Sequence, residues 1–216
     1  MLEVINQGLE TSVQDYPGRV GYLNQGFPPS GPMDSWSFRL ANLLVNNDES
    51  EGALECQYTG PTLKFEKDQV VAICGADMQP KVNGKSVPMW ESILIKADQT
   101  LELGFSLNGA RSYISFAGGI ESNPWLGSKS TFHKAGVGGI DGHAIKKGQK
   151  ISIGQSATRP GRKVREDCIP NIHNSGVWEI EVVRGPNDDW LDDNGYEIFL
   201  NAEWKLQARS DRTGFR

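Results

Sequence analysis

The 216-residue sequence has no long apolar run, few cysteines and no excess of basic residues. No stretch approaches the roughly 20 apolar residues of a membrane-spanning helix, and no basic segment typical of a secretory signal is visible. The net charge of −5 offers nothing that attracts nucleic acid or an anionic membrane surface. We therefore expect no nucleic-acid partner, no membrane partner and a cytoplasmic location.

Residues for metal binding and for common nucleophilic catalysis are also scarce. The three cysteines and three histidines show no metal-ligand spacing. The sequence lacks a Gly-x-Ser-x-Gly elbow and a paired-carboxylate signature. An odd cysteine count without a secretory signal favours a reducing compartment. We expect no metal site, and the residues by themselves leave the catalytic groups unknown.

Glycine and short alternating strands are abundant. The chain has 25 glycines and 38% apolar residues, and segments of strand length recur between turn signals. Asn83-Gly84 predicts a tight hairpin. The pattern predicts a mainly β protein, a barrel or a sandwich, with strands over residues 70–74, 92–96, 101–105, 111–117 and 177–183.

One helix is predicted directly after a polar loop. Asp34 or Ser35 can cap its first turn, and Asn46-Asn47 ends it. Positions i, i+4, i+7 and i+8 form a single apolar stripe, made of Trp36, Leu40, Leu43 and Leu44. A second, interrupted helix is predicted over residues 188–202.

A polar segment divides the chain into unequal parts. Residues 155–168 include Pro160-Gly161 and have no periodicity, which predicts a linker. Residues 1–154 are then a β-barrel domain. About 50 residues are few for an independent domain, so residues 169–216 are either an incomplete second domain or a flap on the first.

The loop over residues 11–34 has two interpretations. Asp15 and Arg19 are close enough for a local ion pair, and Asp34 can cap the helix, which makes the loop structural. Alternatively, Ser30 and Asp34 line a pocket in which the N–H groups of the helix start face an anion or a carbonyl.

A second polar segment, GSKSTFHK over residues 127–134, combines hydroxyls and lysines with flexible backbone. Such a set suits an oxyanion, a phosphate or a carboxylate, although the segment is not a P-loop. We predict that an anion binds to Lys129, Ser130, Thr131 and His133, with the Lys129 side chain exposed. The alternative is a solvent-exposed turn.

Four further residues are secondary candidates. Gln14 and Arg19 belong to the polar loop segment. Asp211 and Arg212 lie in SDRTGFR at the end of the sequence, where they form either a buried clamp or a frayed end.

Several motifs, in this order along the chain, resemble one known family: TSVQDYPGR, GFPPSGPMD, SFRLANLLV, GPTLKF, ICGADM, RSYISFAGGI, LGSKSTF and SDRTGFR. Together they resemble the carboxyltransferase region of urea carboxylase (urea amidolyase), also called allophanate hydrolase subunit 2. KipA and the C subunit of ATP-dependent 5-oxoprolinase belong to the same family. Tyr16-Pro17, Pro28-Pro29-Ser30 and residues 129–132 are more similar to the urea carboxylase branch.

The resemblance implies a cyclophilin-like β-barrel with one clear helix, followed by the start of a second cyclophilin-like domain. It implies a KipI-like partner (the family's first, or B, subunit) and a small amide substrate. Biotin, as carboxybiotin, would be carried by another domain or chain, and ATP would be used by the complex. Further partners would be a biotin carboxylase and a biotin carrier, or the A subunit of oxoprolinase.

Three functions stay open at this point. The first is a carboxyltransferase-type subunit or fragment that acts on urea or a similar small amide. The second is the C subunit of ATP-dependent 5-oxoprolinase. The third is a non-catalytic regulatory binding protein of the KipA type.

Overall fold

The chain forms two compact units, residues 1–174 and residues 175–216, and antiparallel β-strands are the main regular structure of the first. The computed structural model describes residues 1–172, 177, 179–205 and 207. In its described part, the first unit contains helix α1 (Ser35–Leu44) and the following strands: β1 (Leu2–Asn6), β2 (Glu10–Gln14), β3 (Ala53–Gln57), β4 (Thr62–Phe65), β5 (Gln69–Gly75), β6 (Lys81–Val82), β7 (Lys85–Ser86), β8 (Ser92–Ile95), β9 (Thr100–Glu102), β10 (Arg111–Phe116) and β11 (Lys150–Ile151).

The strands form two sheets. Sheet I has the order β11-β1-β4-β9-β6-β7, and sheet II has the order β2-β3-β10-β5-β8. The short β6-β7 hairpin turns at Asn83 and Gly84, whose φ angles are 48° and 77°. Positive φ at both central residues is what a tight two-residue hairpin requires. The predictions of a mainly β fold and of this hairpin are confirmed.

The main core lies between inward-facing side chains of the two sheets. Side chains alternate along a strand, so every second residue of each sheet enters this core. They include Leu2, Leu63, Phe65 and Leu101 from sheet I, and Leu54, Ile73, Ile114 and Phe116 from sheet II. A second apolar cluster lies on the outer face of sheet II, where Phe38 and Ala41 of α1 pack over Ala72 and Cys74 of β5. Helix α1 therefore covers part of this outer face.

Helix α1 confirms its predicted position but not its predicted buried stripe. Asp34 is the N-cap, and its Oδ1 accepts a hydrogen bond of 3.0 Å from the Ser37 backbone N–H. Trp36 and Leu43 remain 49% and 47% exposed, so they do not form the core face. The buried side of the helix is formed instead by Phe38, Ala41 and Leu44. This side of the helix faces sheet II because contacts with that sheet, described below, fix the start of the helix.

The segment predicted to be a linker runs along edge strand β8. The Ser92 N–H donates to the Arg162 carbonyl at 2.8 Å, and the Val164 N–H donates to the Trp90 carbonyl at 2.9 Å. The domain boundaries proposed from the sequence stay a prediction.

The described part of the second unit contains helix α2 (Asp193–Asn201). This helix lies within the segment predicted to be helical. At residues 177 and 179–183 the structure has no strand, so the strand predicted over residues 177–183 is wrong at these positions. No helix in the described part of the chain combines the length and the hydropathy needed to cross a membrane.

Candidate functional site: a polar strip on sheet II

The outer face of sheet II carries a row of polar side chains beyond the region that α1 covers. The register pairs Glu10 with Gln57 and Gln57 with Arg111, and likewise Ser12 with Glu55 and Glu55 with Tyr113. Residues two apart on a strand point to the same face, so Gln14 joins them. We call this set the polar strip: Glu10, Ser12, Gln14, Glu55, Gln57, Arg111 and Tyr113.

Glu55 is at the centre of the polar strip and is only 4% exposed. Its Oε2 accepts hydrogen bonds from the Tyr113 hydroxyl at 2.9 Å and from the Met33 backbone N–H at 2.8 Å. The Tyr113 oxygen in turn accepts from the Asp34 backbone N–H at 2.7 Å. Burial, followed by the nearby Glu55 carboxylate, raises the pKa of Tyr113, so the phenol stays neutral and can donate. These bonds fix the loop that leads into α1.

Two groups of the polar strip lack hydrogen bonds. Gln14 is 0% exposed; its Nε2 donates to Ser12 Oγ at 3.0 Å, whereas its Oε1 has no partner among the described residues. The buried Arg111 Nε lies 3.6 Å from Glu55 Oε1, which is an ion-pair contact but too long for a hydrogen bond. Buried polar groups are almost always paired, and these two atoms are exceptions among the described residues.

His133 and Glu10 lie at the more exposed end of the polar strip. His133 Nε2 is 3.2 Å from Glu10 Oε1, and both side chains reach solvent. The contact becomes an ion pair when His133 is protonated. His133 of the predicted anion-binding segment thus contacts the strip at Glu10.

Ser30 and Asp34 belong to the loop at the edge of the strip. The Asp34 carboxylate accepts from the backbone and the hydroxyl of Ser37, so it caps α1. Ser30 is half-buried, with a φ angle of 57°. Of the two interpretations of this loop, helix capping is observed, and a pocket role for Ser30 and Asp34 stays a prediction.

The predicted anion-binding segment binds a carboxylate of the chain itself. Asp15 Oδ1 accepts from the hydroxyls of Ser128, at 2.6 Å, and of Ser130. Asp15 Oδ2 accepts from the Lys129 backbone N–H at 2.7 Å. Thr131 is buried and donates from Oγ1 to the Val13 carbonyl at 2.9 Å. The Ser128 and Ser130 hydroxyls are thus bonded to an internal carboxylate, and the binding of an external anion by this segment stays a prediction.

Arg19 completes this arrangement, which we call the Asp15 clamp. It is 0% exposed, and its Nη2 and Nε donate to the carbonyls of Ser130, at 2.9 Å, and of Trp125, at 3.3 Å. Its guanidinium also stacks on the Trp125 ring at 4.7 Å. Burial lowers the pKa of Arg19, and the nearby Asp15 opposes that shift. The expected Asp15–Arg19 ion pair is not formed, because the guanidinium bonds go to these carbonyls.

The expectation of an exposed Lys129 is wrong. Its side chain is 23% exposed and forms an ion pair with Glu51, and Nζ also donates to the Ile120 carbonyl at 3.0 Å. The side chain turns inward because a half-buried carboxylate and a carbonyl lie on that side. It therefore does not face solvent as a binding group.

Lys129→Ala should lower the free energy of unfolding by about 1–2 kcal/mol, because it leaves Glu51 half-buried without its cation. Guanidinium denaturation followed by circular dichroism measures this change. The control is Lys150→Ala, which removes an exposed ion pair with Glu66 and should leave the denaturation midpoint unchanged. Equal midpoints for both variants would show that the Lys129 pair contributes nothing.

Two of the predicted site residues remain. Asp211 and Arg212 lie outside the described residues. The described residues contain no group of three or more His, Cys, Asp or Glu side chains placed to hold a metal ion.

Sequence reasoning missed most of the polar strip. Glu55, Arg111 and Tyr113 were not singled out, although polar residues alternate in ETSVQ and RSYISF and an acid interrupts the apolar strand ALECQ. Alternation of polar and apolar residues normally indicates a strand whose polar face is in contact with water. The loop over Met33 and Asp34 and the Phe38 ring of α1 help to bury this face, and no local pattern reveals that.

The chain matches a known family. The model of the carboxyltransferase domain, subdomain A and B, matches residues 25–216. The chain therefore belongs to the carboxyltransferase domain family. Urea amidolyase of Saccharomyces cerevisiae is 36% identical over 222 residues, which span 100% of this chain and 12% of that protein.

Other relatives support the same assignment. The C subunit of 5-oxoprolinase from Escherichia coli is 34% identical over 218 residues, with 100% of this chain and 68% of that protein covered. The crystal structure of Kluyveromyces lactis urea amidolyase matches 100% of this chain and 14% of its own, with a TM-score of 0.91 and 37% identity. The resemblance seen in the motifs is confirmed. This chain spans only a small part of the urea amidolyases it matches.

Proposed function

We propose that this chain provides a carboxyltransferase site of a cytoplasmic, ATP-dependent complex that carboxylates urea or a similar small amide. The observation that supports this most is the match to the urea amidolyase structure along the whole chain, at 37% identity and a TM-score of 0.91. The KipI-like partner, biotin carboxylase and biotin carrier would be other domains or chains.

The polar strip offers groups that fit the carboxyl donor of such a reaction. Carboxybiotin, when bound, supplies the carboxyl group. Arg111 is the guanidinium of the strip, and its fork of N–H donors suits a carboxylate. His133, which reaches solvent near Glu10, would lie toward the side from which a carrier approaches. Burial of the strip beneath the loop at Met33 keeps water from the central part of the site.

A second candidate function is supported by a separate relative. This chain covers 68% of the C subunit of Escherichia coli 5-oxoprolinase at 34% identity, a larger share than it covers of any urea amidolyase described above. The C subunit of 5-oxoprolinase is therefore the alternative, and the A subunit of oxoprolinase would then be a partner. A KipA-type regulatory protein would bind a KipI-like partner without turnover.

Reconstitution separates these functions. The chain is combined with a KipI-like partner, a biotin carboxylase and a biotin carrier, and in a parallel set with the other oxoprolinase components. ADP release is measured with urea, with 5-oxoproline and with neither. We expect release that depends on urea and on biotin. Release that depends only on 5-oxoproline would overturn this proposal, and tight partner binding without any turnover would favour regulation.

A further inference from the structure

A cavity of about 720 Å³ lies in the first unit, between the end of β5, the β6-β7 hairpin and residues 169–172. We call it the hairpin cavity. Pockets that hold small molecules usually measure roughly 300–1,000 Å³, so this cavity is large enough for one. None of the residues that line it belongs to the polar strip. A ligand bound here would therefore contact none of the groups assigned to the carboxyl donor.

One part of the hairpin cavity is apolar. Its lining comes from the segment after β7 and from residues 169–172, and it includes Val87, Met89, Trp90, Ile169, Pro170 and Ile172. Trp90 has a φ angle of 60°, which is rare for a bulky residue. Its N–H donates to the Ile73 carbonyl at 2.8 Å, and its carbonyl accepts from the Val164 N–H at 2.9 Å. Strained residues that their surroundings hold in place cluster at ligand sites, so this part of the cavity suits a large apolar group of a ligand.

Two opposite charges, those of Asp77 and Lys81, line the same cavity. Asp77 Oδ1 accepts from the Gln79 N–H at 2.8 Å, and Asp77 Oδ2 has no hydrogen-bond partner among the described residues. Within the same part of the chain, Lys81 Nζ has no hydrogen bond and no ion pair, although Glu102 lies opposite Lys81 in the register of β6 and β9. The carboxylate and the ammonium therefore do not neutralise each other, and each is available to a ligand.

Hydrogen bonds fix the backbone of both charged residues and of the apolar segment. The Asp77 N–H donates to Asn108 Oδ1 at 3.0 Å, and Asn108 Nδ2 donates to the Ile172 carbonyl at 3.1 Å. Asn108 thus joins the carboxylate side of the cavity to its apolar side. Lys81 pairs with Ser86 in the β6-β7 hairpin, while its side chain is exposed and has a flexible stem. Because most of the site is already arranged, little conformational freedom is lost when a ligand binds.

We propose that the hairpin cavity binds a free α-amino acid with a large apolar side chain. The α-ammonium group lies against Asp77, the α-carboxylate is reached by Lys81, and the side chain packs on the apolar lining near Trp90. Like charges brought together at a site cost free energy, so Asp77 repels a compound that has only a carboxylate and Lys81 repels one that has only an ammonium group. A zwitterion avoids both penalties. This inference goes beyond the proposed function and does not depend on it.

Calorimetric titration of the full 216-residue chain tests the class of ligand. The probes are L-phenylalanine, N-acetyl-L-phenylalanine, which lacks the ammonium group, phenethylamine, which lacks the carboxylate, and L-alanine, which lacks the large side chain. We expect saturable binding of L-phenylalanine, and binding of each other probe that is weaker by about tenfold or more because one charged or apolar contact is lost. No binding of L-phenylalanine, or an equal affinity for any of the other probes, would overturn the proposal.

Variants at the two charges test where the amino acid binds. Asp77→Asn and Lys81→Gln should each weaken the binding of L-phenylalanine about tenfold, because one charged contact is lost. Asparagine keeps an oxygen that accepts from the Gln79 N–H, so the thermal midpoint should stay close to that of the wild type. The matched controls are Lys85→Gln, in the same hairpin, and Glu102→Gln, opposite Lys81; neither residue lines the cavity, and neither variant should weaken binding. Unchanged affinity in both Asp77→Asn and Lys81→Gln would place the ligand elsewhere and contradict the proposal.

The indole N–H resonance of Trp90 locates the ligand in the unaltered chain. It is assigned by NMR with the Trp90→Phe variant, and it should shift as L-phenylalanine is added, with saturation at the same concentration as the calorimetric signal. This measurement does not depend on how stable the Asp77 and Lys81 variants are. A Trp90 resonance that stays in place while L-phenylalanine binds would show that the amino acid is not in the hairpin cavity.

Discussion

Asp15→Ala should lower the free energy of unfolding by about 3–4 kcal/mol, the largest loss that we expect from one side chain outside the core. The carboxylate accepts bonds from the Ser128 and Ser130 hydroxyls and from the Lys129 N–H. Hydrogen bonds to a charged group contribute about 1.5–3 kcal/mol each, and all three donors lose their acceptor together. The loss is smaller than their sum because water reaches part of this site.

Guanidinium denaturation monitored by circular dichroism measures this loss, with Glu121→Ala as the control. Glu121 is exposed, so its removal should have no measurable effect. The loss of unfolding free energy for Asp15→Asn should lie between those for Asp15→Ala and Glu121→Ala. The amide keeps one acceptor oxygen but turns an NH₂ group toward a donor. A loss below about 1 kcal/mol for Asp15→Ala would mean that solvent replaces these bonds at little cost.

The Asp15 clamp also affects the polar strip. Gln14 is the last residue of β2, and Asp15 follows it directly. The Ser130 hydroxyl accepts from the Asp15 backbone N–H at 3.0 Å, so the clamp fixes the point at which the strand ends. Loss of the clamp should therefore also move the Gln14 side chain.

Local features of the fold could be predicted from the sequence because their causes are local. The hairpin needs only positive φ at Asn83 and Gly84, and the start of α1 needs only the Asp34 carboxylate and the nearby Ser37. The buried face of α1 depends on a distant partner instead. A stripe through Trp36 and a stripe through Phe38 both satisfy a helical period, and only the position of sheet II decides between them.

The candidate site shows the same division between chemistry and position. The polar residues of GSKST suit an oxyanion, and the group that Ser128, Lys129 and Ser130 bind in the structure is the carboxylate of Asp15, 114 positions before Lys129. The polar strip arises from three strands that are far apart in the chain and are joined by register. Neither pairing leaves a local signal, so the sequence could identify suitable residue types but not what they face.

Arg19→Met should lower the free energy of unfolding by about 3 kcal/mol, even though methionine fills much of the same volume. The variant leaves the buried Ser130 carbonyl without its donor, and a buried unsatisfied group costs about 1–3 kcal/mol. It also removes one of the two donors of the Trp125 carbonyl, which keeps the Ser128 N–H, and the stacking on the Trp125 ring. Gly138 packs so closely here that an added Cβ would lie 2.1 Å from the Ser130 oxygen. The surrounding loops therefore cannot move in to replace the lost contacts.

Arg19→Lys tests the geometry of the Arg19 side chain at constant charge. One ammonium cannot reproduce the guanidinium fork that reaches two carbonyls, so we expect most of the loss to remain. The control Arg159→Lys, at an exposed position, should be neutral. Asp15 and Arg19 both act on Ser130, so their variants should not be additive. The double variant Asp15→Ala/Arg19→Met should fall short of the summed loss by about 0.5–3 kcal/mol. Additive losses would show that the carboxylate and the guanidinium stabilise separate parts of the loop.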